Sequence, residues 1–246
     1  VRHDPEMGWR PNLILIGLIN TIRISFWSVI LATLLGTIMG LARVSNALLP
    51  RLVSRCYVEL VRNLPPLVLI FIVYFFLSGQ LLDFLGLSDW VRGLSDSSKG
   101  MLSFLFGPPE LLSAFVSAVL TLALYEGAYI TEIVRAGVES VERGQWEAAH
   151  ALGLSPWQRM RHVIMPLTVQ RIMPPLAGQF ISTIKDSAIV SVISVQELTF
   201  QGLELMAATY LTFEIWITVG FLYLLLCLAA SLASRKLELF LNRSEA

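Results

Sequence analysis

The chain has 246 residues, of which 55% are hydrophobic and 15% charged, where an ordinary soluble domain carries about a quarter charged residues. Its mean hydropathy of +0.69 leaves more apolar surface than one aqueous core hides, so lipid is the expected solvent. Eighteen basic residues balance eighteen acidic ones, which argues against a nucleic-acid or acidic partner.

Residues 1–10 are polar, contain Pro5, and lack the basic, apolar and small-residue order of a cleavable signal. Insertion then falls to the first apolar segment. A spanning helix needs about 20 mostly apolar residues, and five segments qualify: 13–41, 57–82, 111–134, 174–198 and 206–233. Within the first, Ala32, Gly36 and Gly40 recur every fourth residue, a small-residue stripe that lets another helix approach closely. The stripe does not name its neighbour. Cys56 and Cys227 have neither CxxC nor metal spacing and read as packing residues of membrane helices.

Arginine and lysine collect in cytoplasmic loops. The first link carries Arg43, Arg51 and Arg55, with Arg62 just beyond; the third holds Arg135, Arg143, Arg159, Arg161 and Arg171; the tail adds Arg235, Lys236 and Arg243. The second link sets Arg92 and Lys99 against Asp83, Asp89, Asp96 and Glu110, and the fourth carries Glu197 and Glu204 with no basic residue. The expectation is an all-α integral membrane protein of about five transmembrane helices, N-terminus outside and C-terminus cytoplasmic. It divides into an external segment 1–12, a membrane domain 13–235 with a cytoplasmic loop near 136–166, and a cytoplasmic tail 236–246. The outer link, 82–109, holds Gly86, Gly93, Gly100, Gly107, Pro108 and Pro109, residues that favour turns and leave room for short surface helices at most.

The third link carries the most specific pattern. Val138, Val141, Ala148, Ala149 and Leu152 approximate one helical apolar stripe, with Glu139 and Arg143 spaced as an i,i+4 pair. Gly153 suits a left-handed helix end, and Ser155 with Pro156 suits the cap and first turn of a second helix. The expected unit is helix, tight turn, helix. Its acidic members Glu139, Glu142 and Glu147 oppose the alternative of a helix resting on anionic lipid, which favours a basic face.

Glu147, Ala148 and Ala149, then Gly153, then Ile164, Met165 and Pro166, resemble the EAA loop of permeases of ABC importers. Gly127, Ala128, Tyr129, Glu132, Arg135, Gly144 and Gln145, with Tyr57, Glu59, Arg62 and Pro65, and with Lys185, Asp186 and Ser187, are similar to the polar amino acid branch that serves histidine, glutamine, arginine or glutamate. The likeness covers residues 17–235. One departure is Leu167–Thr168 after Pro166, where the family pattern carries glutamine or asparagine. The resemblance implies a type I importer fold in the bacterial cytoplasmic (inner) membrane, without a cofactor. It also implies a cytoplasmic ATPase dimer docked at Glu147, Ala148, Ala149 and Gly153, a second permease copy or paralogue, an external amino acid-binding protein and an amino acid as cargo.

Lys185 and Asp186 sit inside an apolar segment, where each charge costs about 2.5–3.5 kcal/mol on insertion scales. On a helical wheel Gln179, Ser182, Thr183, Lys185, Asp186 and Ser187 share a polar side, expected to face a cavity. Two readings are open. The pair complements the carboxylate and ammonium of an amino acid zwitterion, or it is a structural ion pair completed by Arg62 or Glu126. Tyr125 and Glu126 close a polar series, Ser113, Ser117 and Thr121, on the third segment, which lines the same path or bonds neighbouring helices.

The chain contains no GxxxxGK[ST] phosphate loop, HExxH or GxSxG, which speaks against its own ATP site or catalytic centre. The alternative function is an ion-coupled transporter or channel using Lys185, Asp186 and Glu126; a membrane-embedded enzyme using them as acid and base is a third.

Overall fold

A computed structural model describes residues 2–4, 8–10, 13–78, 80, 84, 86, 93 and 95–243. Apart from a short antiparallel ribbon, Arg2–Asp4 with Gly8–Arg10, the described residues fold into helices. These are α1 (Leu13–Arg43), α2 (Leu48–Asn63), α3 (Pro66–Ile72), α4 (Asp96–Phe106), α5 (Leu112–Glu139), α6 (Arg143–Ala151), α7 (Pro156–Arg159), α8 (Met165–Asp186), α9 (Leu198–Thr209) and α10 (Thr212–Arg243). Much of the outer link falls outside the described residues. Its visible part, α4, packs back on α1 through Trp27, which stacks on Phe106 at 4.9 Å and donates to the Leu105 carbonyl.

The largest interface joins α1 to α5. A Cβ on Gly36 would lie 2.6 Å from Ile130, and one on Gly40 would lie 2.6 Å from Val134. The Ser28 hydroxyl donates to the Val119 carbonyl. Matching positions advance in step along both helices, so α1 and α5 run parallel, and α5 is the neighbour for which the small-residue stripe is cut. Two adjacent parallel spans require a return crossing between them. That crossing is α2 with α3, bent by 118° at their junction. Four helices have the length and composition to cross a membrane alone, and the count rises to five where the bent pair is taken as one broken span.

The bend corrects the second expected span. Leu64 is extended, Pro65 precedes α3, and Pro66 opens it; a residue before proline is driven out of the helical region, so the apolar run from 57 cannot stay one helix. The amphipathic α2 lies along α1 and α5, its Ser54 hydroxyl donating to Met39 and its Tyr57 hydroxyl to the Leu124 carbonyl at 2.6 Å. Cys56, expected in packing, is exposed on α2.

The fourth span also differs. One helix runs from Pro156 through a π-helical turn, Met160–Ile164, into α8 and on through a 3-10 segment, Ser187–Ile193. Pro174 and Pro175, read as its start, are interior and exposed. It crosses α5 in the opposite direction at Gly137, where a Cβ would meet Ile172 at 2.1 Å and Thr168 at 3.2 Å. Thr168, the departure from the family pattern, fills that crossing. The helix ends at Ser194, which is left-handed with φ 59°.

Residues 206–209, assigned to the fifth span, belong instead to α9, because left-handed Tyr210 turns the chain into α10. Glu197 ties these helix ends together. The fully buried carboxylate caps α9 by accepting from the Thr199 and Phe200 amides at 2.8 Å, and it accepts from the Tyr223 hydroxyl at 2.7 Å and the Thr21 hydroxyl at 3.4 Å.

Overpacking a close helix crossing costs about 1–3 kcal/mol. Gly36→Ala is expected to destabilise the detergent-purified permease by about that amount, measured by thermal unfolding, while Gly220→Ala, whose Cβ meets nothing within 4 Å, leaves stability unchanged.

Candidate functional site

The loop between α5 and α8 is built from local capping chemistry. α5 ends at Glu139, α6 closes on Leu152, and Gly153 holds φ +75°, a conformation that glycine adopts without Cβ strain. Ser155 then caps α7 in a capping box, its hydroxyl accepting from the Gln158 amide while the Gln158 side chain accepts from the Ser155 amide. The expected helix, turn, helix is present. Its apolar stripe is not continuous, because the chain breaks between Glu139 and Arg143. Val138 and Val141 pack with Ile164 in a small core, whereas Leu152 is 78% exposed. The same break removes the expected Glu139–Arg143 pair, and Glu139 pairs instead with Arg135.

Glu147, Ala148 and Gly153 stand on the surface, but Ala149 is 2% exposed against its own chain. Leu152 and Trp157, the latter 68% exposed, add a large apolar surface beside them. The sequence pattern placed Leu152 in the apolar stripe but did not single out Trp157, since in a membrane protein an exposed tryptophan is ordinary; only its place on a polar loop distinguishes it.

Above the loop, Glu132 of α5 binds Arg43 of α1 at 3.2 Å and Arg135 at 2.8 Å, and Arg135 also reaches Glu139. This network locks the loop-side ends of the parallel pair. Deeper in the bundle lies a different arrangement. Glu126 is fully buried on α5 and accepts from Gln179 of α8 through Oε2. Thr183 and the Asp186 carboxyl group are its neighbours on α8, and its Oε1 has no hydrogen-bond partner among the described residues. Gln179, Thr183 and Asp186 share one α8 face by their spacing, turned to α5. Lys185 lies on another face, exposed and without an ion-pair partner among the described residues. Ser182 is half-buried.

The polar side predicted for α8 therefore divides in two, and Lys185 and Asp186 do not form a pair in this chain. The Tyr125 hydroxyl meets that of Tyr129 at 3.3 Å, and the Arg62 guanidinium lies 5.4 Å from the Tyr129 ring centre. Thr121 donates to the Ser117 carbonyl of its own helix, so it bridges no neighbouring helix. Between α2, α5 and α8 opens a cleft of about 490 Å3, whose lining includes Arg62, Tyr129, Arg135, Arg171, Pro175 and Gln179. Among the described residues no cluster of His, Cys, Asp or Glu has the arrangement of a metal site.

Four helices long and apolar enough to cross a membrane, a bent helix pair, a helix-turn-helix between the spans and a cleft bordered by arginines fit a transmembrane transport subunit. The chain belongs to the family of binding-protein-dependent transport system inner membrane components, which it matches over residues 13–242. It is 33% identical over 225 residues to the glutamine transport system permease protein GlnP of Escherichia coli (strain K12), covering 90% of this chain and 91% of that one. It is 32% identical over 222 residues to the probable amino-acid ABC transporter permease protein YckA of Bacillus subtilis (strain 168), covering 90% and 86%. Among solved structures it is similar to an amino acid ABC transporter crystallised with histidines, at TM-score 0.72 and 32% identity over 92% of both chains. The inward-facing MetNI methionine ABC transporter shares the fold at TM-score 0.67 and 18% identity, covering 96% and 97%. These relatives favour a subunit of an ABC importer over an ion-coupled carrier.

Because Lys185 has no ion-pair partner among the described residues, Lys185→Met is expected to leave the thermal stability of the isolated permease unchanged. Glu126→Ala removes the acceptor of Gln179 and is expected to cost about 1–3 kcal/mol. Equal destabilisation by both substitutions would contradict the division of the α8 face.

Proposed function

We propose that this chain is the permease subunit of an ATP-driven amino acid importer, working with a second permease copy or a paralogue, an ATPase dimer and an external binding protein. The observation that carries the reading is the loop: Glu147, Ala148 and Gly153 exposed on a rigidly capped helix-turn-helix whose second helix continues without interruption into the span bearing Gln179, Ser182, Lys185 and Asp186.

That continuity supplies a physical route for coupling. From Pro156 to Asp186 the helix is about 45 Å long at 1.5 Å per residue, so a displacement of the docked turn rotates the cleft-lining residues as part of one body. The ATPase, on closing around ATP, moves Glu147, Ala148 and Gly153; Leu152 and Trp157 bury apolar surface against it. Ala149 supports the loop from within. Substrate passes along the face formed by Tyr125, Glu126, Gln179 and Asp186, with Ser182 and Lys185 turned toward the second permease. The glutamine and amino-acid permeases among the relatives support an amino acid as cargo.

The orientation proposed is N-terminus outside, with loop and tail in the cytoplasm. The parallel course of α1 and α5 supports it, because both bring their basic ends, Arg43 and Arg135, to the loop side. Residues 1–12 are then external and residues 236–246 cytoplasmic.

Glu147→Lys and Ala148→Trp are expected to lower uptake roughly tenfold or more, as loss of a central contact does, and to reduce co-purification of the ATPase without altering permease stability. Normal uptake and normal stoichiometry would refute the docking role. In a background with Cys56 and Cys227 replaced by serine, Gly100→Cys should react with an impermeant maleimide from outside intact cells and Gly144→Cys only after lysis; labelling of both from outside would reject the orientation.

A further inference from the structure

The loop end of the bundle holds another cavity, of about 490 Å3, apart from the cleft between α2, α5 and α8. Its walls come from the α1–α2 turn, the end of α5 and the start of α6, with Arg43, Arg51, Glu139, Arg143, Trp146 and Met160 in the lining. Arg43 is committed to Glu132, and Glu139 to Arg135. Arg51 and Arg143 are exposed and have no ion-pair partner among the described residues. Even Glu147, four residues beyond Arg143 on α6, makes no ion pair with it. Free guanidinium groups from separate helices thus border one pocket, and such groups are strong, directional receptors for phosphate.

The depth of the pocket in the bilayer follows from helix length. α1 has 31 residues and is about 46 Å long at 1.5 Å per residue, against a hydrocarbon layer of about 30 Å. With α1 centred in the membrane, its Arg43 end stands at the level of the lipid headgroups. There the chain turns into the amphipathic α2, the Ser45 hydroxyl accepting from the Ala47 amide at 3.2 Å. Leu48, Leu49 and Leu52 are exposed on the opening turns of α2, next to Arg51, and Trp146 is half-buried in the pocket wall. Exposed leucines, an indole and free arginines at one depth match the two parts of a phospholipid, chain and headgroup. An acidic protein segment would pair with the arginines and leave the leucines bare.

We propose that this pocket binds an anionic glycerophospholipid, its phosphate bridged by Arg51 and Arg143 and its acyl chains lying along Leu48, Leu49 and Leu52. A lipid held there joins the α1–α2 turn to the start of α6, and so fastens the loop to the membrane helices at a point where no ion pair between described residues does so. The inference goes beyond the importer reading and depends on neither the cargo nor the side of the membrane that the loop faces.

The test is native mass spectrometry of the delipidated permease in detergent, alone and with its ATPase, titrated with dioleoylphosphatidylglycerol, dioleoylphosphatidylcholine or inorganic phosphate. Both samples are expected to bind one phosphatidylglycerol roughly tenfold or more tightly than phosphatidylcholine, whose choline cation opposes the arginines. Arg51→Gln and Arg143→Gln each remove most of that preference, and Arg51→Lys retains part of it. Arg55→Gln, which deletes an equal charge one turn along α2 but outside the lining, keeps it. Equal affinity for the two lipids, or a loss in Arg55→Gln as large as in Arg51→Gln, reduces the pocket to general surface charge and overturns the proposal. Displacement of the phosphatidylglycerol by millimolar inorganic phosphate assigns the arginines to a free phosphate and also overturns it. A preference present in the permease alone and lost with the ATPase bound gives the arginines to an acidic group of that subunit, and again rejects the lipid site. The comparison of the two lipids on the unaltered chain decides the matter even where a variant fails to fold.

Discussion

The close parallel contact of α1 with α5 sets the rest of the structure. Lipid gives no hydrophobic push between two apolar helices, so their association depends on van der Waals contact and backbone approach. Gly36 and Gly40 make that approach possible by leaving space that Ile130 and Val134 occupy. With α1 and α5 locked side by side in the same direction, the chain between them must cross back. The Pro65–Pro66 break lets it do so as two oblique pieces instead of one straight span. On the opposite side of α5, Gly137 admits Ile172 of α8 in the same way. α5 thus becomes the central element, clasped on both sides, and its polar residues lie where they meet other helices.

Two buried glutamates then show how one residue type serves different ends. Glu197 is saturated: two backbone amides and two hydroxyls satisfy it, and it joins α1, α9 and α10 at the ends away from the loop. Glu126 is less completely paired: it accepts from Gln179, with Thr183 and a second carboxyl group nearby, and its other oxygen has no partner among the described residues. A saturated buried carboxylate is architecture. The less paired one lies between α5 and α8, where its partner Gln179 also borders the cleft.

Much of this was legible from the sequence. The apolar runs fell on the four long apolar helices and on the bent pair α2 with α3, the small-residue stripe on α1 announced a tight crossing, and Gly153, Ser155 and Pro156 specified a turn because their backbone preferences are local and strong. The errors arose where tertiary context overrides a local rule. Pro174 and Pro175 read as a helix start but are carried inside a long helix held by its crossing with α5, and the apolar run from 57 concealed a break that the two prolines impose. Glu197 looked like a loop charge because the four donors that bury it come from residues as far apart as Thr21 and Tyr223. Lys185 and Asp186 invited pairing as neighbours, yet adjacent residues on a helix diverge by about 100°, and their separate environments emerge only with α5 in place. The same geometry brings Arg62, 117 positions upstream of Gln179 in the chain, to one cleft with it, a relation invisible to spacing.

The central claim is that this chain forms a path whose direction is powered by another protein. The most direct test is accumulation of radiolabelled L-glutamine, L-histidine, L-arginine or L-glutamate in proteoliposomes holding the permease, its ATPase and its binding protein, with ATP supplied on the loop side. The account predicts accumulation against a gradient that requires ATP and survives ionophores that collapse proton and sodium gradients. Accumulation by the permease alone, driven by an imposed proton or sodium gradient and indifferent to ATP, would contradict it.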